Sequence, residues 1–339
     1  MPVLTDEQKV VIGVVSAPSP AAYPVNEVMA QFFCEMVEDS NPIYFDEAYA
    51  RSTWLKGTFA PPPMLLIWRM GPVWPVREER ENPVSKLGLD KAGCTATIAV
   101  NAVQEYEQPL RYGDTLAVTN QIASVGEEKT TRLGTGHFVT TLDWYRNQHG
   151  QVVGTHSFTL FIYAPTPPVG AQGPAPSRPD VANHTSSARS ARNMALRTAT
   201  LKAGDTLPPI SIDLTLRRAI QAVAGTRDYY PFHHDEDFAK ENGADGIFFN
   251  TMFLQAFAGR AANEWFGNEA FMRRMEIAMR GSNYVGKTLT AEGVVAEVRD
   301  DSGRTVVDVD CTLGTDDGPT TGVKFTVQLP PTNWSQVKT

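Results

Sequence analysis

The chain has 339 residues, which at roughly 150 per domain suggests two domains, each able to bury a core of its own. It is 42% hydrophobic and 20% charged, a globular rather than a disordered balance. Thirty Lys and Arg against 38 Asp and Glu give a formal charge of −8, which argues against nucleic acid as a partner, since that affinity rests on a basic footprint. Cys34, Cys94 and Cys311 are far apart and form no Cys-x-x-Cys pair, so neither a zinc site nor a disulfide framework is expected. The first residues lack a basic stretch followed by a long apolar core, and no apolar run approaches the ~20 residues of a membrane span. The expectation is a protein of the reducing cytoplasm that does not enter a membrane.

In chain order, residues 25–38 have the apolar spacing of a helix, and a polar turn with Pro42 follows. Residues 164–190 are rich in Pro, Gly, Ala and Ser without hydrophobic period, and read as a linker. The domains expected are 1–165, a linker at 166–195, and 196–339. The second half opens with a helical pattern at 214–224 and a loop containing Pro231. Residues 247–266 then form a long helix that Phe248, Phe249, Met252, Phe253, Phe257 and Trp265 mark as mostly buried. Strands follow at 288–298 and 305–313, joined by an Asp300-Asp301-Ser302-Gly303 turn. A third runs through Val323, Phe325, Val327 and Leu329, alternating with polar residues.

The halves repeat one another. Aligning Asp39 with Asp228 also pairs Pro42 with Pro231, Asp46 with Asp235, and Ala50 with Ala239; further on, Gly113 answers Gly286. The separation from Asp39 to Gly113 is 74 residues, and from Asp228 to Gly286 it is 58. The first half therefore carries about 16 extra residues, assigned to Gly71–Gly93. Helices ahead of antiparallel strands indicate an α+β fold.

Asp228 and His233 bracket Tyr229-Tyr230-Pro231-Phe232, and the proline forbids a regular helix interior there. A carboxylate and an imidazole aimed at one water can exchange protons in both directions near neutral pH. Spacing alone leaves another reading open, in which Asp228 caps the next helix and His233 lies on the surface. The adjacent His233-His234-Asp235 could be read as metal ligands, but adjacent side chains rarely converge on one ion without others, so no metal is expected.

The segment Arg227-Asp228-Tyr229-Tyr230-Pro231-Phe232-His233 resembles the G-D-x-N-P-[LIV]-H signature of MaoC-type (R)-specific enoyl-CoA hydratases. It departs from that signature at Arg227 and Tyr230. In the first half, Glu38-Asp39-Ser40-Asn41-Pro42-Ile43-Tyr44 keeps Asp, Asn and Pro but has Tyr44 in place of histidine. The run Ala60-Pro61-Pro62-Pro63 resembles the dehydratase-like first halves of fused members. The pair His233-His234 and Phe249-Asn250 is similar to hydratases of bacterial steroid side-chain degradation.

The resemblance implies a double hot-dog fold, two halves each with a long helix wrapped by an antiparallel sheet, and a first half that is non-catalytic and forms the acyl pocket. It also implies reversible hydration of a trans-2-enoyl-CoA to a (3R)-hydroxyacyl-CoA, with a bulky, steroid-like acyl group and no cofactor. Asp228 and His233 would be catalytic. Thr251, Asn250, Tyr230 and His234 would form the oxyanion and substrate-binding site. Arg273, Arg274, Arg280 and Lys287 stand where CoA phosphates could meet them, and a solvated basic edge is the competing reading. The partners expected are an acyl-CoA and a second copy of the chain. A hot-dog thioesterase and a non-catalytic acyl-CoA-binding subunit are the alternatives.

Overall fold

Alternating apolar residues need a second layer to cover them, and in this chain one sheet curls around its own helices. The computed structural model describes residue 5 and residues 9–74, 83–165 and 201–331. The expected linker at 166–195 lies outside the described residues, as does part of the Gly71–Gly93 segment.

The first half contributes helices α1 (Glu27–Val37) and α2 (Glu47–Ser52). Its strands are β1 (Ser19–Pro20), β2 (Ala96–Tyr106), β3 (Ala117–Val125), β4 (Lys129–Thr131), β5 (Gly134–Arg146) and β6 (Val152–Pro165). The second half contributes β7 (Thr206–Asp213), helices α3 (Leu216–Thr226), α4 (Glu236–Glu241) and α5 (Thr251–Phe266), then β8 (Phe271–Met279), β9 (Thr288–Asp301), β10 (Arg304–Thr315) and β11 (Gly318–Gln328). The strands form one sheet in the order β1-β3-β5-β6-β2-β8-β11-β10-β9-β7, with β4 on β5. β2 and β8 join the halves edge to edge, antiparallel, from Asn101 opposite Ala278 to Glu105 opposite Arg274. That pairing removes the exposed edge each half would otherwise present. The fold is the double hot-dog that the sequence leads one to expect.

The internal repeat extends to backbone conformation. α1 and α3 both end in left-handed residues, Glu38 and Arg227, each at φ 58°. Asp46 and Asp235 each cap the next short helix by accepting a backbone N–H, from Tyr49 and Phe238. Gly113 and Gly286, at φ 97° and 93°, donate their N–H groups to Val25 and Leu214. Between β9 and β10, Ser302 and Gly303 both have positive φ, as a two-residue hairpin turn requires.

The halves differ at the centre. α5 has 16 residues, is buried nearly all round, and carries Phe253, Phe257, Ala261 and Trp265 through the core of the second half. In the first half the central segment is a 3₁₀ helix of 8 residues, Pro62–Arg69. Pro61, Pro62 and Pro63 supply no N–H donors and Gly71-Pro72 follows, so a long α-helix has no room to propagate. The two central segments pack directly: a Cβ on Gly259 of α5 would stand 2.9 Å from Pro63 Cγ.

Candidate active site

The loop after α3 is built to hold two side chains together. Arg227 turns the chain out of the helix in a left-handed conformation, and Pro231 starts a 3₁₀ turn, Pro231–His233. Asp228 Oδ2 then lies 3.5 Å from His233 Nε2. The Phe248 carbonyl stands 2.8 Å from His233 Nδ1, which must carry a proton to donate there, and so leaves Nε2 facing the carboxylate. Asp235, not Asp228, caps the next helix, and His233 is only 8% exposed, so the surface reading of the pair fails. Burial lowers the His233 pKa from its usual 6.5, and the opposing pull of the Asp228 charge and the Phe248 carbonyl does not restore it.

Asn250 and Thr251 sit where α5 begins. Asn250 is the N-cap, its Oδ1 accepting from the Phe253 N–H at 2.9 Å, and Thr251 is the first helical residue. The Leu254 N–H bonds to the Asn250 carbonyl, which leaves the N–H groups of Thr251 and Met252 without partners among the described residues. A helix N-terminus with free N–H groups favours developing negative charge.

The loop and the helix start are tied by a residue the sequence reading passed over, Thr226. Its buried Oγ1 accepts from Asn250 Nδ2 at 2.8 Å and from the Asp228 N–H at 3.3 Å, and donates to the Ala222 carbonyl at 2.6 Å. The Thr226–Asn250 bond spans 24 residues, so no local spacing rule could expose it. Phe248, whose carbonyl orients His233, stands out in the sequence only as an apolar residue.

Tyr230 joins the pair through its backbone, its N–H donating to Asp228 Oδ1 at 3.3 Å. Its ring is 45% exposed and packs on Phe232 and Phe238. His234 is exposed and bonds to neither member of the pair. Arg273 donates to the Glu107 carbonyl at 3.1 Å, Arg274 pairs with Glu276 at 2.8 Å, and Lys287 with Asp317 at 2.7 Å. These three cations are therefore engaged with acceptors on the protein itself. Arg280 is exposed and lies in the turn whose Asn283 carbonyl accepts the Phe249 N–H, next to the start of α5. Among the described residues no group of three or more His, Cys, Asp or Glu is placed to hold a metal.

The corresponding place in the first half is closed. Asp39 and Tyr44 share one donor, Asn263 Nδ2 of α5, at 2.8 and 3.1 Å; Tyr44 is buried and Asp39 half-buried. The cavity beside Tyr44 holds about 10 Å³, no more than a water. Burial raises the Asp39 pKa to about 6, despite hydrogen bonds from the Asn41 N–H and Asn263 and the charge of Arg260. Because the folded value exceeds the unfolded one, this carboxyl favours folding below pH 4 and loses that advantage as pH rises through about 6. The charge costs about 3 kcal/mol at neutral pH, and losing one hydrogen bond costs ~1 kcal/mol. Asp39→Asn is therefore expected to unfold at higher urea at pH 7.5, by ~2 kcal/mol, and to lose this margin at pH 4; an equal difference at both pH values would refute it.

The arrangement has known counterparts. In fold, the whole chain matches a "MaoC-like dehydratase" at TM-score 0.68 and 16% identity, covering 95% of this chain and 99% of that one. It also matches a conserved hypothetical protein of Mycobacterium tuberculosis described as a double hot-dog, at TM-score 0.61 and 13% identity, covering 97% and 99%. The chain thus carries the MaoC-like double hot-dog fold, and its residues 10–156 match the FAS1-like dehydratase domain region. By sequence it is 37% identical over 147 residues to a probable enoyl-CoA hydratase alpha subunit of Thermomonospora curvata, covering 42% of this chain and 46% of that protein. It is 35% identical over 136 residues to the 3-oxo-4,17-pregnadiene-20-carboxyl-CoA hydratase alpha subunit of Mycobacterium tuberculosis, covering 40% and 41%. The chain spans less than half the length of these two relatives.

Proposed function

We propose that the chain is an enoyl-CoA hydratase, adding water reversibly across the Cα–Cβ bond of a trans-2-enoyl-CoA to give a (3R)-hydroxyacyl-CoA. The observation that carries this is the Asp228–His233 pair at 3.5 Å, tied through Thr226 and Asn250 to a helix start with free N–H groups. With Nδ1 committed to Phe248, a neutral His233 offers Nε2 as an acceptor beside the Asp228 carboxylate, so one water donates to both and turns its lone pairs outward. Its oxygen bonds to Cβ while one of the two groups takes a water proton, and the pair delivers a proton to Cα. The Thr251 N–H meets the enolate-like thioester oxygen, worth on the order of 3 kcal/mol in comparable oxyanion sites. No cofactor is required, since the thioester is the electron sink. In this reading residues 196–339 are catalytic, and residues 1–165 contribute a retired dyad and the wall of the acyl pocket.

The acyl group is bulky. The first half places a short 3₁₀ segment where the second has a 16-residue helix, which leaves Phe158 half-buried on the inner face of the sheet. A relative is named for a polycyclic acyl-CoA. Burial at ~25 cal/mol per Å² rewards a large rigid group, which also loses less conformational entropy than a flexible chain. The expected kcat/KM for a polycyclic 2-enoyl-CoA exceeds that for crotonyl-CoA at least about tenfold. Following enoyl absorbance and free thiol together tests both parts. Loss of absorbance without thiol supports hydration, thiol release means a thioesterase, and equal rates on the two substrates reject the bulky acyl group.

A further inference from the structure

On the outer face of the sheet one transverse row crosses both halves without a break. In the first half it runs through Gln121 on β3, Leu142 on β5, Ser157 on β6 and Val103 on β2. Across the join it continues through Glu276 on β8, Lys324 on β11, Asp310 on β10 and Val294 on β9. The second part is charged, as a face turned to water is expected to be, with Lys324 3.7 Å from Asp310. The first part carries no charge. The row beside it, Ser124, Thr140, Thr159 and Asn101, carries none either. On the other side Thr119, Trp144 and Thr155 are uncharged, and charge returns only where Glu105 approaches Arg274 across the join, at 3.9 Å.

Along β5 the inward set Val139, Thr141, Asp143 and Tyr145 is buried, whereas the outward set Phe138, Thr140, Leu142 and Trp144 is only half-buried. Threonine suits any exposed strand, so the hydroxyls alone would be unremarkable. Leu142, Trp144, Val103 and Ile98 gain nothing by facing water, and at one end Phe161 is stacked between Phe138 at 4.6 Å and Tyr163 at 4.9 Å. Cations stand at the border: Lys129 lies 5.8 Å from the Phe138 ring, and Arg274 flanks the join. An aromatic and aliphatic centre without charge inside a charged rim is the composition of a protein interface. Four strands at ~4.8 Å spacing, over about nine residues at ~3.3 Å each, make a face of roughly 600 Å². Two such faces together bury about 1,200 Å², above the ~1,000 Å² that a specific interface requires.

We infer that this face is covered by the same face of a second copy of the chain, the two first halves stacked sheet on sheet about a two-fold axis. The chemistry of the face selects that occupant. Side-chain hydroxyls both donate and accept, so Thr140, Ser157 and Thr159 are their own complements across a two-fold. Each chain carries a formal charge of −8, which opposes self-association everywhere except through an uncharged surface. A foreign partner is commonly selected by opposite charge, and this face offers none to read. Stacked sheets lie ~10 Å apart, a gap that interdigitating Leu and Trp side chains fill. The inference does not depend on the reaction the chain catalyses.

Sedimentation of the full chain tests this. At about 10 μM the wild type is expected to run at twice its 37.2 kDa mass. Leu142→Glu and Trp144→Glu each set like charges against one another across the axis, and each should weaken association at least about hundredfold, leaving single chains. Val294→Glu, in the same row of the second half, should leave the mass unchanged. Leu142 lies near the middle of the face, where a two-fold axis brings a residue close to its own copy. An equimolar mixture of Leu142→Glu and Leu142→Lys should therefore recover the doubled mass, which a variant with a damaged sheet could not do. A wild-type chain of single mass would overturn the interface, even if a different protein then bound it. So would a dimer that survives both Glu substitutions, which would be joined elsewhere, or a mixture that stays single.

Discussion

Asp228→Asn and His233→Ala are each expected to lower the hydration rate by about 10³-fold or more, with the fold intact. In the proposed mechanism both side chains handle protons in the transition state, so neither loss would be made good by binding energy elsewhere. Asn retains the shape of the Asp228 side chain and still accepts the Tyr230 N–H, which separates the loss of the carboxylate from collapse of the loop. Burial holds His233 below its usual 6.5, so the acid limb of kcat/KM is expected below that pH. Changes at Asp39 or Tyr44 should cost far less, since Asn263 of α5 bonds both and the cavity beside them is water-sized. Turnover near wild type in either the Asp228 or the His233 variant would exclude this mechanism.

Most of the fold was legible because it depends on periodicity and repetition. The alternation through Val323, Phe325 and Val327 marked β11, and the Asp-x-x-Pro spacing in both halves marked two copies of one loop. The helix expected at 247–266 begins at Thr251, because Asn250 caps it and the preceding Phe248 and Phe249 backbones bond to Phe232 and Asn283 instead. The short 3₁₀ segment in the first half is less legible: its prolines carry the family resemblance, and the backbone donors they remove tell against a long helix only when set beside the second half. The basic residues illustrate a further limit. Arg273, Arg274 and Lys287 look available for phosphates, but Glu107 and Asp317 reach Arg273 and Lys287 only once strands and turns are in register, while Glu276 meets Arg274 from two residues along the same strand. The site pair itself lay within six residues and was visible, whereas the bonds that aim it run from 15 to 24 residues away and were not.

Those distant bonds carry the second large effect. In the first half, Asn41 holds its own loop, its Oδ1 accepting from the Ile43 N–H at 3.1 Å and its Nδ2 donating to the Asn268 carbonyl at 3.2 Å. The second half has Tyr230 at that position, and no side chain caps its 3₁₀ turn. Thr226 and Asn250 take over the task, joining the Asp228 backbone to the start of α5. Thr226→Val preserves shape but removes both the acceptor and the donor, leaving Asn250 Nδ2 buried and unmet at a cost of about 1–3 kcal/mol. A displacement near 1 Å between the pair and the Thr251 N–H is enough to cost about 10²-fold in rate. The expected result is a kcat about 10²-fold lower with a smaller change in KM, recovered in Thr226→Ser, which restores the hydroxyl. A loosened loop also admits water to His233, relieving the burial that depresses it, so the acid limb should move to higher pH in Thr226→Val and return in Thr226→Ser. Loss of stability alone would lower the amount of active protein without moving that limb, and an unshifted limb with an unchanged kcat would show that the clamp does not position the site.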